Sequence, residues 1–221
     1  MSATGLYGKL PAHGDFIDRQ LPRSFISVWD EWMQCAVAGS RELLASHWLD
    51  HYLTSPIWRF GLMPGILDKH TWLGVLVPSV DSVGRYFPLT IACPVSSEIN
   101  LFRFFYEAEA WFSGLEDVAV SALNSQLRAD DLLEQLNSMA DPGLFLSDSA
   151  TATRLKHGGL RVDGGNYADQ VMSFMAVNHE TLGSYSLWQC GGDSDGSGSL
   201  FVRTGLPSPE EYCGMISGKW Y

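Results

Sequence analysis

The chain has 221 residues and a formal net charge of -11, from 25 acidic and 14 basic side chains. Hydrophobic residues make up 46% of it. A domain of this length buries roughly 70% of the surface that its unfolded chain exposes, so it needs no disulfide or structural metal. The negative charge argues against partners that are nucleic acids or anionic membrane surfaces, because binding to either depends on cationic side chains.

The cysteines and the N-terminus indicate a cytoplasmic protein. No two cysteines form a Cys-x-x-Cys pair, a scatter that is typical of reduced thiols. The first ten residues lack the basic segment and apolar stretch of a secretion signal. No apolar run approaches the ~20 residues that a membrane-spanning helix requires, so no membrane insertion is expected.

The first quarter of the chain predicts one strand followed by two helices. Residues 6–10 predict a short strand that enters a loop at 11–14. Pro22 suits the start of a helix, and apolar residues recur after it at helical spacing. Gly39 predicts the end of that helix, and a second helix is predicted to begin near Ser40.

The middle of the chain predicts strands and then helices. Segments 57–62, 72–77 and 86–93 are short apolar runs rich in aromatic and β-branched residues, which is typical of strands. Between residues 98 and 139 the apolar residues return to helical spacing. The acidic residues of this region predict a solvated helix face, with docking of a basic partner as the alternative. They are Glu107, Glu109, Glu116, Asp117, Asp130, Asp131 and Glu134.

The last third predicts a glycine-rich irregular region over residues 142–165, and then strands at 171–177, 185–190 and 200–203. Residues 209–216 predict a closing helix. This order of elements indicates one domain over residues 1–221, of the α/β class, with a three-layer α-β-α sandwich around a mixed sheet. An α+β fold with helices on one face only is the alternative.

Ser194 is a candidate nucleophile, because residues 192–196 match the Gly-x-Ser-x-Gly pattern of hydrolases. That pattern works only where a strand enters the motif and a helix leaves it. Here the residues after Ser194 predict a turn and a strand, and no histidine follows it in the chain. A hairpin loop is therefore the favoured interpretation, and a serine hydrolase is the alternative.

Two further patterns resemble metal sites. Residues 193–204, beginning at Asp193, resemble a calcium loop, but Thr204 stands where the bidentate glutamate belongs. His47 and His51 have the spacing of zinc ligands on a helix, but no third ligand accompanies them. The sequence therefore predicts no metal and no other cofactor.

Several segments resemble the TagF (ImpM) family of bacterial type VI secretion proteins. Residues 5–17 read GLYGKLPAHGDFI, which is similar to the family's opening pattern YGKLPxxGDF. Residues 55–60, SPIWRF, and 74–89, GVLVPSVDSVGRYFPL, resemble its middle. Residues 186–188 and 205–207 resemble its end more loosely.

The resemblance implies a function as a non-enzymatic, post-translational repressor of type VI secretion. The implied partner is a cytosolic scaffold protein that carries a forkhead-associated (FHA) domain, and no small-molecule substrate is implied. Besides the hydrolase using Ser194, the alternative is a structural component of the secretion apparatus that assembles in many copies.

The candidate partner-binding residues lie in or near two family-like loops, around residues 9–19 and 78–85. Both carry charges of either sign, and each adjoins a predicted strand, so one rigid sheet is expected to hold them close together. Two interpretations stay open: the charged groups pair internally and pin the loops, or they face a partner. The candidates are Lys9, Asp15, Asp18, Arg19, Ser79, Asp81 and Arg85.

Overall fold

The computed structural model describes residues 3–95, 99–142, 151–154, 160–163, 167–178, 182–191 and 198–220. Its strands are β1 (Gly5–Gly8), β2 (Ile17–Arg19), β3 (Trp58–Leu62), β4 (Thr71–Val77), β5 (Leu89–Val95), β6 (Thr151–Arg154), β7 (Leu160–Asp163), β8 (Ser186–Cys190) and β9 (Ser199–Arg203). Its helices are α1 (Arg23–Leu44), α2 (Trp48–Leu53), α3 (Leu101–Glu107), α4 (Glu109–Asn124), α5 (Ala129–Asn137), α6 (Tyr167–Asn178) and α7 (Pro209–Ser217).

Seven of these strands form one sheet in the order β2-β1-β5-β4-β3-β8-β9, and β6 pairs with β7 separately. Every pairing between the described strands is antiparallel, so the predicted mixed sheet is wrong in this respect. The reason is local: β3, β4 and β5 follow one another through connections too short for a crossover helix, and such neighbours pair antiparallel.

Helices cover both faces of the sheet. Along β4, Trp72 and Leu76 face a core shared with α1, α2 and α7, whereas Leu73, Val75 and Val77 face a core shared with α3, α4 and α5. Side chains of a strand alternate between its two faces, so a strand buried on both sides is apolar throughout. The predicted α/β class with three layers is confirmed.

The core beneath α1 is built from large rings. Trp29 is fully buried, with ring centroids 4.9 Å from Phe60 and 6.2 Å from Trp188. Its indole N–H donates a 2.8 Å hydrogen bond to the Thr90 hydroxyl, so the buried polar atom is satisfied. This cluster joins α1 to β3, β5 and β8, which are distant in the sequence.

The predicted helix end at Gly39 is wrong, since α1 continues through it to Leu44. A Cβ atom at Gly39 would lie 2.5 Å from the Cβ of Pro209, the first residue of α7. The missing side chain therefore lets α7 approach α1 closely. The glycine at position 39 is therefore explained by packing against a helix distant in the sequence, and not by the end of α1.

Gly39→Ala is expected to destabilise the protein by about 1–3 kcal/mol, because the added methyl group overlaps the rigid proline ring. In an unhindered helix the same change stabilises by about 1 kcal/mol, so the sign of the effect is diagnostic. The measurement is urea denaturation. The matched control is Ala38→Gly at the exposed neighbour, which should cost only about 1 kcal/mol. A more stable Gly39→Ala variant would contradict the packing argument.

Residues 171–177 lie in helix α6, so the predicted strand there is wrong. Met172 and Met175, one helical turn apart, pack against the core on the α3 side of the sheet. Six of the seven residues in this segment are apolar, so the pattern fits either a helix or a strand, and tertiary packing against α3 selects the helix. The predicted irregular region 142–165 contains the β6–β7 hairpin.

Candidate functional site

The two family-like loops leave the same end of the sheet. The first loop, residues 9–16, connects β1 to β2, and the second loop, residues 78–88, connects β4 to β5. Tyr7 near the end of β1 pairs with Thr90 near the start of β5, which places the loops side by side. The Ser82 backbone N–H donates a 2.9 Å hydrogen bond to the His13 carbonyl. The loops are therefore in direct contact, as predicted from the sequence.

Gly8 allows this close approach of the loops. Its φ angle is 132°, and a Cβ atom there would lie 2.1 Å from the Pro88 carbonyl oxygen. Any other residue would push the second loop away. The second loop is also closed on itself, by a bridge between Val80 and Tyr86. The predicted strand 86–93 therefore begins three residues later, at Leu89.

Asp81 is the centre of the contact between the loops. Its carboxylate is completely buried and forms an ion pair with the Lys9 ammonium group, which is almost as buried. The same carboxylate accepts hydrogen bonds from the Arg85 side chain at 2.7 Å, the Arg85 N–H at 2.8 Å and the Val83 N–H at 3.1 Å. One acidic group thus organises both loops.

Burial opposes ionisation of Asp81, but the hydrogen bonds from Lys9, Arg85 and Val83 outweigh it. The pKa of the Asp81 carboxyl therefore lies well below its ordinary value of 3.8. The group is a carboxylate at neutral pH, as the pairing with two cations requires.

Ser79 adds a second link between the loops. Its hydroxyl donates a 2.7 Å hydrogen bond to the Lys9 carbonyl. Its backbone is held by the buried Tyr52 hydroxyl, which accepts from the Ser79 N–H at 2.9 Å and donates to the Ser79 carbonyl at 2.8 Å. Helix α2, which carries Tyr52, thereby anchors the second loop.

The candidate residues fall into two groups. Lys9, Ser79 and Asp81 are buried and bind to one another, as the internal interpretation predicts. The other four reach solvent: the Asp15 side chain is 99% exposed and that of Arg85 57%. Asp18 and Arg19 are partly exposed on β2. Their role in partner binding stays a prediction.

Helix α5 is attached to the first loop and to β2 by two contacts that the sequence did not reveal. The His13 Nε2 atom accepts a 3.0 Å hydrogen bond from the N–H of Ala129, the first residue of α5. Arg19 donates to the Asp130 carboxylate at 2.7 Å. These contacts fix α5 beside the loops, and neither residue pair has a sequence spacing that would identify it.

Phe16 is the other feature that sequence analysis missed. It lies at the end of the first loop with 47% of its surface exposed, and Val83 at the tip of the second loop is 66% exposed. The sequence signal that could have identified it is its place as the aromatic residue of the family-like pattern, directly after Gly14 and Asp15.

Glu109 and Glu116, two of the acidic residues predicted to form a solvated face, also bind a buried arginine of the sheet, although the Glu109 side chain stays 63% exposed. Arg59 of β3 is buried, and it donates to Glu116 at 2.6 Å and to Glu109 at 2.9 Å. The hydrogen bond from Arg59 lowers the pKa of Glu109. This network lies on the α4 side of the sheet and holds α4 against β3.

Ser194 lies outside the described residues, as do Asp193, Asp195 and Ser197 of the calcium-like segment. The elements on either side of Ser194 are β8 and β9, paired antiparallel with Cys190 opposite Ser199. A strand therefore follows Ser194, where a nucleophile elbow requires a helix.

His47 and His51 belong to no metal-binding group of three or more histidine, cysteine or acidic side chains in the part of the chain that the structure describes. Within the same residues, no helix combines the length and apolarity needed to span a bilayer.

Comparison with known proteins identifies relatives of this fold. The family model described as the TagF N-terminal domain, type VI secretion system-associated, matches residues 5–139, which include both loops. The crystal structure of PA0076 from Pseudomonas aeruginosa PAO1 is similar, with a TM-score of 0.80 and 30% sequence identity. The alignment covers 99% of this chain and 96% of that one. No curated protein matches the chain.

Proposed function

The chain belongs to the TagF family of type VI secretion-associated proteins, and from this premise we propose that it represses type VI secretion after translation by binding a cytosolic FHA-domain scaffold protein. It acts by occupying a surface of that scaffold and performs no chemistry. The interface consists of the exposed parts of the two loops and of the adjoining strand β2, where Asp15, Asp18, Arg19 and Arg85 reach solvent.

The buried ion pair between Lys9 and Asp81 carries this proposal. A loop that is already fixed loses little conformational entropy when it binds, so more of the contact energy appears as affinity. Here two loops from different parts of the chain are joined into one rigid surface. Such surfaces, held by a scaffold of strands, are where binding residues concentrate.

The charges of this surface favour a basic partner. Lys9 and Arg85 share Asp81 as a counter-ion, and Arg19 is paired with Asp130. Asp15 lies 3.7 Å from Arg85 and is almost fully exposed. The protein as a whole carries a net charge of -11. Complementary charge accelerates association and makes it depend on salt concentration.

Asp15→Lys is expected to weaken scaffold binding roughly two- to tenfold, because an exposed charge pair contributes up to about 1 kcal/mol and the reversal turns attraction into repulsion. The loss should lie mainly in the association rate and should shrink at high salt. Surface plasmon resonance with the purified scaffold at low and high salt measures both effects.

The matched control is Asp117→Lys, which makes the same charge change on the exposed face of α4. Its neighbour Glu116 binds Arg59 on β3, three strands away from β1 in the sheet. This variant should associate almost as fast as the unaltered protein. An Asp15→Lys variant that folds normally and associates at the unaltered rate would exclude the loops as the interface.

A further inference from the structure

Phe16 is an exposed aromatic residue on the surface that the two loops form. Its loop is hydrogen-bonded to the loop of Val83 through Ser82 and His13, so two exposed apolar side chains flank one rigid contact. Aromatic residues, phenylalanine among them, are enriched at the buried centre of protein interfaces, and the few residues that dominate binding energy cluster there.

The ring of Phe16 is held in place before any partner arrives. It lies 5.8 Å from Tyr7 in a stacked arrangement and 4.8 Å from Phe87 in an edge-on one. The Lys9 ammonium group lies 4.6 Å from its centroid, and Asp81 fixes that ammonium group in turn. A favourable cation–π contact and two aromatic contacts therefore fix the side chain.

We propose that Phe16 is the aromatic anchor of the partner interface and inserts into an apolar pocket of the partner that has a basic rim. The inference rests on the proposed function, since it assigns partner chemistry to the same surface. Val83 extends the apolar contact from the second loop. Fixing the ring in advance lowers the entropy lost on binding.

The basic rim follows from the charges next to Phe16. Asp15 precedes it, and Asp18 follows it two residues later. The cations nearby, Lys9 and Arg85, already have Asp81 as a counter-ion. Lysine or arginine residues at the edge of the partner's pocket would therefore meet the carboxylates of Asp15 and Asp18, which have no strong ion pair within the part of the chain that the structure describes. Interfaces of this kind have an apolar centre and a polar, charged rim.

The test compares binding of the purified FHA-domain scaffold to the full chain and to Phe16→Ala. The substitution is expected to weaken binding about 30-fold or more, the size of effect that defines an anchor residue. The loss should appear as faster dissociation with a nearly unchanged association rate. Phe16→Leu, which keeps an apolar side chain, should fall between the two.

Two variants separate anchoring from folding. Phe174→Ala removes a phenylalanine of similar exposure, 50%, from α6, and it should bind like the unaltered protein. Val83→Asp changes a 66% exposed residue, so it should fold normally and still bind weakly. Melting temperatures of all variants are measured alongside.

Three results would overturn the proposal. If Phe16→Ala binds the scaffold at full strength while the unaltered protein also binds, the anchor is wrong and the proposed function stands. If Val83→Asp binds as tightly as the unaltered protein, the apolar contact does not extend to the second loop and that part of the proposal is wrong. If the unaltered protein does not bind the scaffold, the proposed function fails and the anchor fails with it.

Discussion

Asp81→Asn is expected to destabilise the protein by about 3–5 kcal/mol, the usual cost of removing one partner from a buried ion pair. The change keeps the shape of the side chain but leaves the buried Lys9 ammonium group without its counter-ion. Denaturation in urea, monitored by tryptophan fluorescence, measures the loss. Asp15→Asn removes the same charge from a fully exposed position and should cost less than about 0.5 kcal/mol.

A double variant tests whether the lost ion pair is the cause. Lys9→Met in the Asp81→Asn background removes the unpaired cation and should recover part of the stability. Recovery is expected to be incomplete, because Lys9 also contacts the Phe16 ring and Arg85 still lacks its carboxylate. A single Asp81→Asn variant as stable as the unaltered protein would show that the network contributes nothing to folding.

The low pKa of Asp81 gives the same prediction a pH dependence. A carboxyl whose pKa is lower in the folded than in the unfolded state stabilises the fold at pH values above the unfolded pKa, ~3.9 for aspartate. That contribution is lost as the pH falls through the folded pKa. The difference in stability between the unaltered protein and Asp81→Asn should therefore be constant near neutrality and shrink in acid below about pH 4.

The sequence predicts correctly those helices whose apolar residues keep helical spacing over several turns. The helical spacing after Pro22 and between residues 98 and 139 was sustained over several turns, and helices lie there. The short segment 171–177 is ambiguous, since its six apolar residues fit either a helical or a strand period and only contact with α3 decides. The predicted helix end at Gly39 is wrong for a related reason, because the residue that packs against it, Pro209, lies near the other end of the chain.

The sequence predicts that the two loops of the candidate site lie together, but it does not predict which of their side chains pair with one another. Two loops next to strands of one sheet were expected to meet, and they do. The sequence leaves open that the charged groups of the loops pair internally, but lysine and aspartate are rarely buried and nothing selects Lys9 and Asp81, 72 residues apart, as the buried pair. Pairing across such a distance depends on strand order, which sequence periodicity does not contain.

The segment after the family match completes the sheet. Residues 5–139 contain β1 to β5, but β3 pairs on its other edge with β8, and α7 covers the same face as α1. Trp188 of β8 contacts Phe60 and Trp32 at 5.5 Å each, and Trp58 donates to the Met215 carbonyl of α7 at 3.1 Å. The matched segment therefore shares its core with the remainder of the chain.

A fragment of residues 1–142 is expected not to fold on its own. Removing the rest exposes the edge of β3 and uncovers Trp29, Phe60 and Trp58, which are buried in the complete chain. Each large side chain returned to water costs roughly 1.5–3 kcal/mol, and a domain has only about 5–15 kcal/mol of stability in total. An unpaired, apolar strand edge also promotes aggregation.

The measurements are solubility, thermal melting by circular dichroism and binding of a hydrophobic dye. The fragment should be largely insoluble or bind dye without a cooperative melt, and co-expression with residues 167–221 should restore solubility by supplying β8, β9 and α7. The complete chain, predicted to be one domain over residues 1–221, should melt in a single transition. A soluble fragment of residues 1–142 with its own cooperative melt would show instead that the family-matched segment is an independent domain, and the single-domain prediction would be wrong.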